Sequence, residues 1–177
     1  GDAGVGTFGG SEDHTAILCS SPQMLKQYAF CPVRHESTVP FSESHVFVIA
    51  SSGVVAEKTG AARERFNRAS SLASETARVL GDKRGVTYPH LHAALQEGTR
   101  RELRERLASS SSEHFTGQDF VDRFDQFTTE SEDIIPTASA ALGSGDLGGF
   151  GKEVTRSQKT GAELLKNQVP QTLWLAD

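Results

Sequence analysis

Little in this chain points to a membrane, an oxidising compartment or a nucleic acid. No run approaches the about 18 apolar residues that a membrane-spanning helix needs. Lys and Arg number 18 against 23 Asp and Glu, a net charge of −5, which argues against a surface built for nucleic acid. There are only two cysteines, Cys19 and Cys31, within or beside apolar segments. That is too few for a disulfide scaffold, and buried free thiols in a reducing cytoplasm are the expectation. The first residues do not read as a secretory leader. No internal repeat is visible, and the 177 residues suit one domain or parts of two.

The pattern along the chain predicts an α+β class, with strands early and helices late. Residues 1–10 read as a glycine-rich loop and 11–20 as a short helix closed by Ser20-Ser21-Pro22. Strands are expected at 27–33 and 37–41, with Pro32 and Pro40 at strand ends or on an edge. The run His45-Val46-Phe47-Val48-Ile49-Ala50 predicts a strand at 45–50, buried on both faces and paired with an earlier segment. A long helix over 60–80 follows, with Phe66, Ala69, Ala73, Thr76 and Leu80 at steps of three and four. Segments 88–107 and 116–142 read as mainly helical. Phe120, Phe124 and Phe127 form a stripe that reads as core. Residues 109–112 read as a polar linker. Residues 143–149 read as a turn, with Asp146 capping a helix over 147–165.

The most informative stretch is Gly9-Gly10-Ser11-Glu12-Asp13-His14, leading into Thr15-Ala16-Ile17-Leu18. Ser11 is a good N-cap residue, and Glu12 and Asp13 fall in the first turn, beside the positive end of the helix dipole. A glycine-lined turn that presents an Asp at a helix start can hold a carboxylate against a small ligand. The alternative is an ordinary capped helix with acidic residues. Gly4-x-Gly6-x-x-Gly9 matches a dinucleotide fingerprint in form only. No strand precedes it, and two acids stand where a pyrophosphate would sit. His90-x-His92 reads as surface histidines at a helix start after Pro89, with the rings on different sides, rather than half a metal site. Arg100, Arg101, Arg104 and Arg106 interleave with Glu102 and Glu105 and read as a solvated face.

Gly-Gly-Ser-Glu-Asp-His-Thr resembles the second signature motif of the galactokinase branch of the GHMP small-molecule kinases. Ser51-Ser52-Gly53-Val54, Lys58-Thr59-Gly60-Ala61-Ala62-Arg63 and Asn67-Arg68 are similar to that family's crossing into its C-terminal domain. Segment 141–151 with Ser157-Gln158 is similar to the helix-turn-helix before its third motif. The resemblance implies a two-domain kinase fold, with 1–52 the remainder of the N-terminal domain and 53–177 an incomplete C-terminal domain. It implies Asp13 as the catalytic carboxylate beside the anomeric hydroxyl of a sugar, with Gly10, Ser11 and Glu12 binding the substrate. Gly10 is then where backbone approaches the sugar. A carboxylate at a helix start would act more by orientation and charge than by proton abstraction. His14 reads as a packing group behind it.

The family's phosphate-binding loop, its N-terminal sugar motif and its third glycine-rich motif have no counterpart in this chain. The expectation is therefore an internal piece of a longer cytoplasmic kinase. ATP, Mg²⁺ and the arginine partner of the aspartate would be served by the intact parent, and no cofactor is expected for this piece alone. The expected partners are a small sugar and ATP, with no nucleic acid and no membrane. The family often places a tyrosine after the domain crossing; residues 58–66 hold none, which leaves the sugar open among hexoses and related compounds. Two rival readings are a non-catalytic sugar or nucleotide sensor and an unrelated helical interaction domain. The second predicts an exposed Asp13 away from any concavity. A piece with missing neighbours is also expected to expose apolar surface.

Overall fold

A computed structural model describes residues 10–55, 61–82, 84–166 and 168–176, without the side chains of 61–66. The class is α+β: a mostly helical chain with one two-stranded antiparallel sheet. Helix α1 (Glu12–Cys19) leads into strands β1 (Met24–Ala29) and β2 (Arg34–Pro40). Then come α2 (Ala61–Asp82), α3 (Leu91–Leu95), α4 (Arg100–Ala108) and α5 (Gly117–Thr128). A π-helical turn, Thr129–Ile134, runs straight into α6 (Ile135–Gly143). Helix α7 (Leu147–Thr160) ends in a second π turn, Gly161–Leu165, and α8 (Pro170–Ala176) follows.

The helices form where local chemistry stops and starts them. Thr99 opens α4 with a reciprocal capping box: its hydroxyl accepts the Glu102 N–H, and the Glu102 carboxylate accepts the Thr99 N–H at 2.9 Å. Thr116 and Asp119 do the same for α5, again with a 2.9 Å bond to the cap N–H. Two orphan amides are satisfied at each helix start. Asp146 caps α7 as the sequence predicts, accepting the Gly149 N–H at 2.8 Å. Gly117 at the first position of α5 lies so close to the carbonyls of Ala108 and Ser110 that a Cβ would run into them. The α4–α5 turn is tight because that residue has no side chain.

The core is helical and lies entirely between residues 72 and 134. Leu72, Ala77, Val79 and Leu80 of α2 meet Leu91 and Ala94 of α3, Leu103 and Leu107 of α4, and Phe120, Val121 and Phe124 of α5. Phe115 joins them from the turn before α5. The Phe120/Phe124 stripe is fully buried and Phe127 partly so, which bears out the core reading. Burying each such side chain contributes about 1.5–3 kcal/mol. Thr76 is also fully buried; its hydroxyl donates to the Leu72 carbonyl one turn back, at 2.6 Å.

Arg100, Arg101 and Arg104 of α4 are exposed, as a solvated face expects, and Arg106 is half-buried, but the face also makes contacts beyond its own helix. Arg100 forks onto Asp133 with two 3.0 Å bonds and also donates to the Thr128 carbonyl. Arg104 reaches Asp125 at 2.9 Å, and Arg106 donates to the Leu80 carbonyl of α2. Only Arg101 keeps to its own helix, with Glu105 at 4.0 Å. Three of the four therefore fasten α4 to its neighbours.

The first third differs from expectation in three ways. The hairpin pairs Met24 with Pro40 through Ala29 with Arg34, and a bulge falls between Gln27 and Tyr28. Its turn lies at 30–33, around Pro32, rather than at 34–36. Proline lacks the N–H a ladder needs, so it takes the turn, while Pro40 closes β2. Second, segment 45–50 is neither a strand nor buried. A turn at Ser42–His45 brings Phe47 back to stack on Phe41, with centroids 4.6 Å apart, but no ladder bonds follow. Third, both cysteines are free, but Cys31 is exposed and Cys19 only half-buried.

Candidate functional site

Helix α1 carries the predicted site. Ser11 occupies the N-cap position, yet its side chain makes no capping bond. Its backbone, φ −91° and ψ 3°, is not the extended conformation that aims an N-cap oxygen at the first amides. Its carbonyl accepts the Thr15 N–H at 2.8 Å. Glu12 and Asp13 sit in the first turn, both exposed. Among the described residues neither carboxylate has a hydrogen-bond or ion-pair partner.

Gly10 does make a close approach, but to protein: a Cβ there would run into the Phe30 ring in the hairpin turn. The other end of α1 is tied to the hairpin, where Lys26 donates to the Cys19 carbonyl at 2.7 Å. Ser20 also donates to the Ala16 carbonyl. Two contacts thus join α1 to the hairpin, one just before its start and one at its end. No residue of α1 is buried, and Ile17 and Leu18 face solvent. His14 is exposed rather than packed behind Asp13.

Asp13 lines neither of two concavities found elsewhere. A cleft of about 650 Å³ is bounded by Arg84, Glu97, Gly98, Glu102, Glu105 and Arg106 among others. Its charges are already engaged. Arg84 donates to the Glu97 carbonyl at 2.9 Å and meets its carboxylate at 3.2 Å. Glu102 is held in the Thr99 cap, whose amide and hydroxyl keep its carboxyl below the usual range. This cleft is a crevice between helices, in which Arg106 donates to the Leu80 carbonyl and Glu105 meets Arg101 only at 4.0 Å. A smaller groove of about 370 Å³ lies between Ser51–Ser52 and the Pro170, Gln171, Trp174 and Leu175 face of α8.

The remaining family-like positions take structural places. Residues 1–9 and 56–60, with the glycine fingerprint and Lys58-Thr59-Gly60, lie outside the described residues. Arg68 pairs with Asp119 at 2.9 Å and lies over the Phe115 ring, 5.1 Å from its centroid. Ser157 donates to Glu130 at 2.8 Å, joining α7 to the first π turn. His90 caps α3, its ring accepting the Ala93 N–H at 3.2 Å, while His92 stands 3.7 Å from Glu132. The two rings are neighbours, 6.3 Å between centroids, not on different sides.

Sequence reasoning missed the Arg100–Asp133 pair, to which Arg156 adds a further contact at 3.8 Å. Arg100 holds the Asp133 carboxyl below its usual range. The two residues are 33 apart and follow no helical spacing, so nothing in the sequence pairs them. No helix among the described residues is long and apolar enough to cross a membrane. Comparison with known proteins found no matching family, no matching curated protein and no matching solved structure.

Proposed function

We propose that this chain carries the aspartate-bearing part of a galactokinase-like sugar kinase, with Asp13 beside the phosphate-accepting hydroxyl. The observation that carries the reading is the motif's position: three residues after Gly10, Asp13 stands exposed and unpartnered in the first turn of a helix. Phosphoryl transfer asks little covalent chemistry of a protein. It needs a hydroxyl aligned with the γ-phosphate and a carboxylate to orient it or take its proton. Asp13 would do this, with Gly10, Ser11 and Glu12 forming the adjoining sugar contacts.

ATP and Mg²⁺ belong to the intact parent. Among the described residues no three His, Cys, Asp or Glu side chains converge as a metal site. The sugar is a hexose or a related compound, and a sensor that keeps the same contacts without turnover is the nearest alternative.

The unpaired segment 45–50 fails a condition of the kinase reading, which requires it to pair with an earlier segment. A second reading, a helical interaction module, draws on the same fact. It also draws on Asp13 lining neither concavity and on a core that closes within 72–134.

Steady-state phosphorylation of a panel of hexoses and pentoses by the intact parent separates them. Asp13→Asn keeps size and removes charge. Turnover should fall by about two to four orders of magnitude, the usual range for a general base. Sugar binding should weaken less. Near-normal turnover of the Asn variant removes Asp13 from the chemistry. A parent that binds sugar without phosphorylating it supports the sensor, and one that does neither supports the interaction module.

A further inference from the structure

We propose that the groove between Ser51–Ser52 and α8 binds a neutral saccharide. The groove holds about 370 Å³ and is lined by Ser51, Ser52, Pro170, Gln171, Trp174 and Leu175. It is separate from Asp13 and independent of its role.

Both walls are set by local chemistry. Pro170 stands at the first position of α8, where a missing N–H is no loss. The Thr172 hydroxyl accepts the Val169 N–H at 3.1 Å, which closes the helix start. Gln171, Trp174 and Leu175 then stand at steps of three and four and share one face. Opposite them, the Ser51 hydroxyl accepts the Gly53 N–H and the Ser52 hydroxyl accepts the Val54 N–H, each at 3.3 Å. Each serine oxygen is thus held in place while its own O–H stays available to donate.

The lining decides the ligand. Among the described residues no charged side chain borders the groove, so it offers no partner to a phosphate, a carboxylate or a cation. It carries one aromatic ring, not the row of aromatics on which a proline-rich peptide docks. What it does offer is one indole, two hydroxyls and one amide. The Gln171 amide and the Trp174 ring N–H have no hydrogen-bond partner among the described residues. Trp174 is 76% exposed, so its ring is open to a ligand. A pyranose matches that set. It brings an apolar C–H face for the indole, and neutral hydroxyls, each both donor and acceptor, for the serines and the glutamine. The volume lies near the lower end of small-molecule sites, about 300–1,000 Å³, which suits a mono- or disaccharide.

Trp174 is the one tryptophan of the chain, so its emission reports on this groove. Titration of the 177-residue chain with D-glucose, D-galactose and maltose, followed by tryptophan fluorescence, should give a saturable change with at least one of them. Its midpoint should lie in the millimolar range, as suits an open groove. Saturation-transfer NMR of the same sugar reads the variants. Trp174→Ala should weaken binding at least about ten-fold, and Gln171→Ala by about two- to ten-fold. Far-UV circular dichroism should be unchanged for both, since both side chains are exposed. Asp13→Asn should leave the titration as it is. The proposal is overturned if no saccharide changes the emission, or if the Trp174 and Gln171 variants bind the sugar as the wild type does. A response lost with Asp13→Asn places the sugar at α1 and overturns it too. So does emission that answers to a proline-rich peptide and to no saccharide.

Discussion

Residues 10–55 are richer in apolar side chains than residues 72–134, yet only the second region buries them. In the helical region, leucines and phenylalanines from α2, α4 and α5 reach zero or near-zero exposure. In the first third, Ile17, Leu18, Phe30 and 46–49 stay in water, and no apolar residue is fully buried there. The helical region has several faces turned on one another, with arginine clasps outside them. The hairpin has one sheet of two strands, touched by α6 along β2 but with no buried residue of its own. A helix stripe finds its partner in the next helix of a compact bundle, whereas a lone two-stranded sheet is marginal in water. Apolar content alone does not make a core; a second layer does.

The largest expected effect comes from breaking the better-built side. Phe124→Ala removes a fully buried ring from the centre of α5 and should cost about 3–5 kcal/mol. Thermal melting followed at the helical signal should show a correspondingly lower midpoint. Native-state hydrogen exchange sharpens the contrast. Amides in the cores of α2, α4 and α5 should open only with the whole fold, and those of 24–40 should exchange far sooner. Equal protection in both regions would mean that the hairpin is covered after all.

A smaller effect is expected at the α5 cap. Thr116→Ala should cost about 0.5–2 kcal/mol. The same cap sets a pH dependence. Burial acts to raise the Asp119 carboxyl, but the Thr116 hydroxyl and amide and Arg68 outweigh it, bringing the group from 3.8 to about 2. Because the folded value lies below the unfolded one, the contribution is fully present above about pH 4 and is lost as pH falls toward 2. In acid melts Asp119→Asn should flatten that part of the profile; an unchanged slope there would remove Asp119 as its source. The smallest effect is expected in the first third. Ile49→Ser, at a side chain 94% exposed, should move the melting free energy by no more than about 0.5 kcal/mol. A loss of several kcal/mol would show that segment 45–50 is packed within the single chain.

What the sequence settled was local. Of the α2 face predicted at Phe66, Ala69, Ala73, Thr76 and Leu80, Thr76 and Leu80 are buried, Ala69 and Ala73 are half-buried, and the Phe66 side chain lies outside the described residues; the phenylalanine stripe of α5, the turn before α7 and the Asp146 cap stand. Each depends on residues within a turn or two of one another, so spacing alone reveals it. The same holds for the acids in the first turn of α1, although the Ser11 cap bond does not form. Tertiary structure decided what needs a distant partner. It set the hairpin register and its turn at Pro32, turned Gly10 against Phe30, and left 45–50 unpaired. It also gave Arg100, Arg104 and Arg106, on their solvated face, partners outside α4. A strand's pattern states that one face wants cover, and an arginine's charge states that it wants a carboxylate. Neither states which segment supplies it, because that choice is made by contacts tens of residues away in the chain.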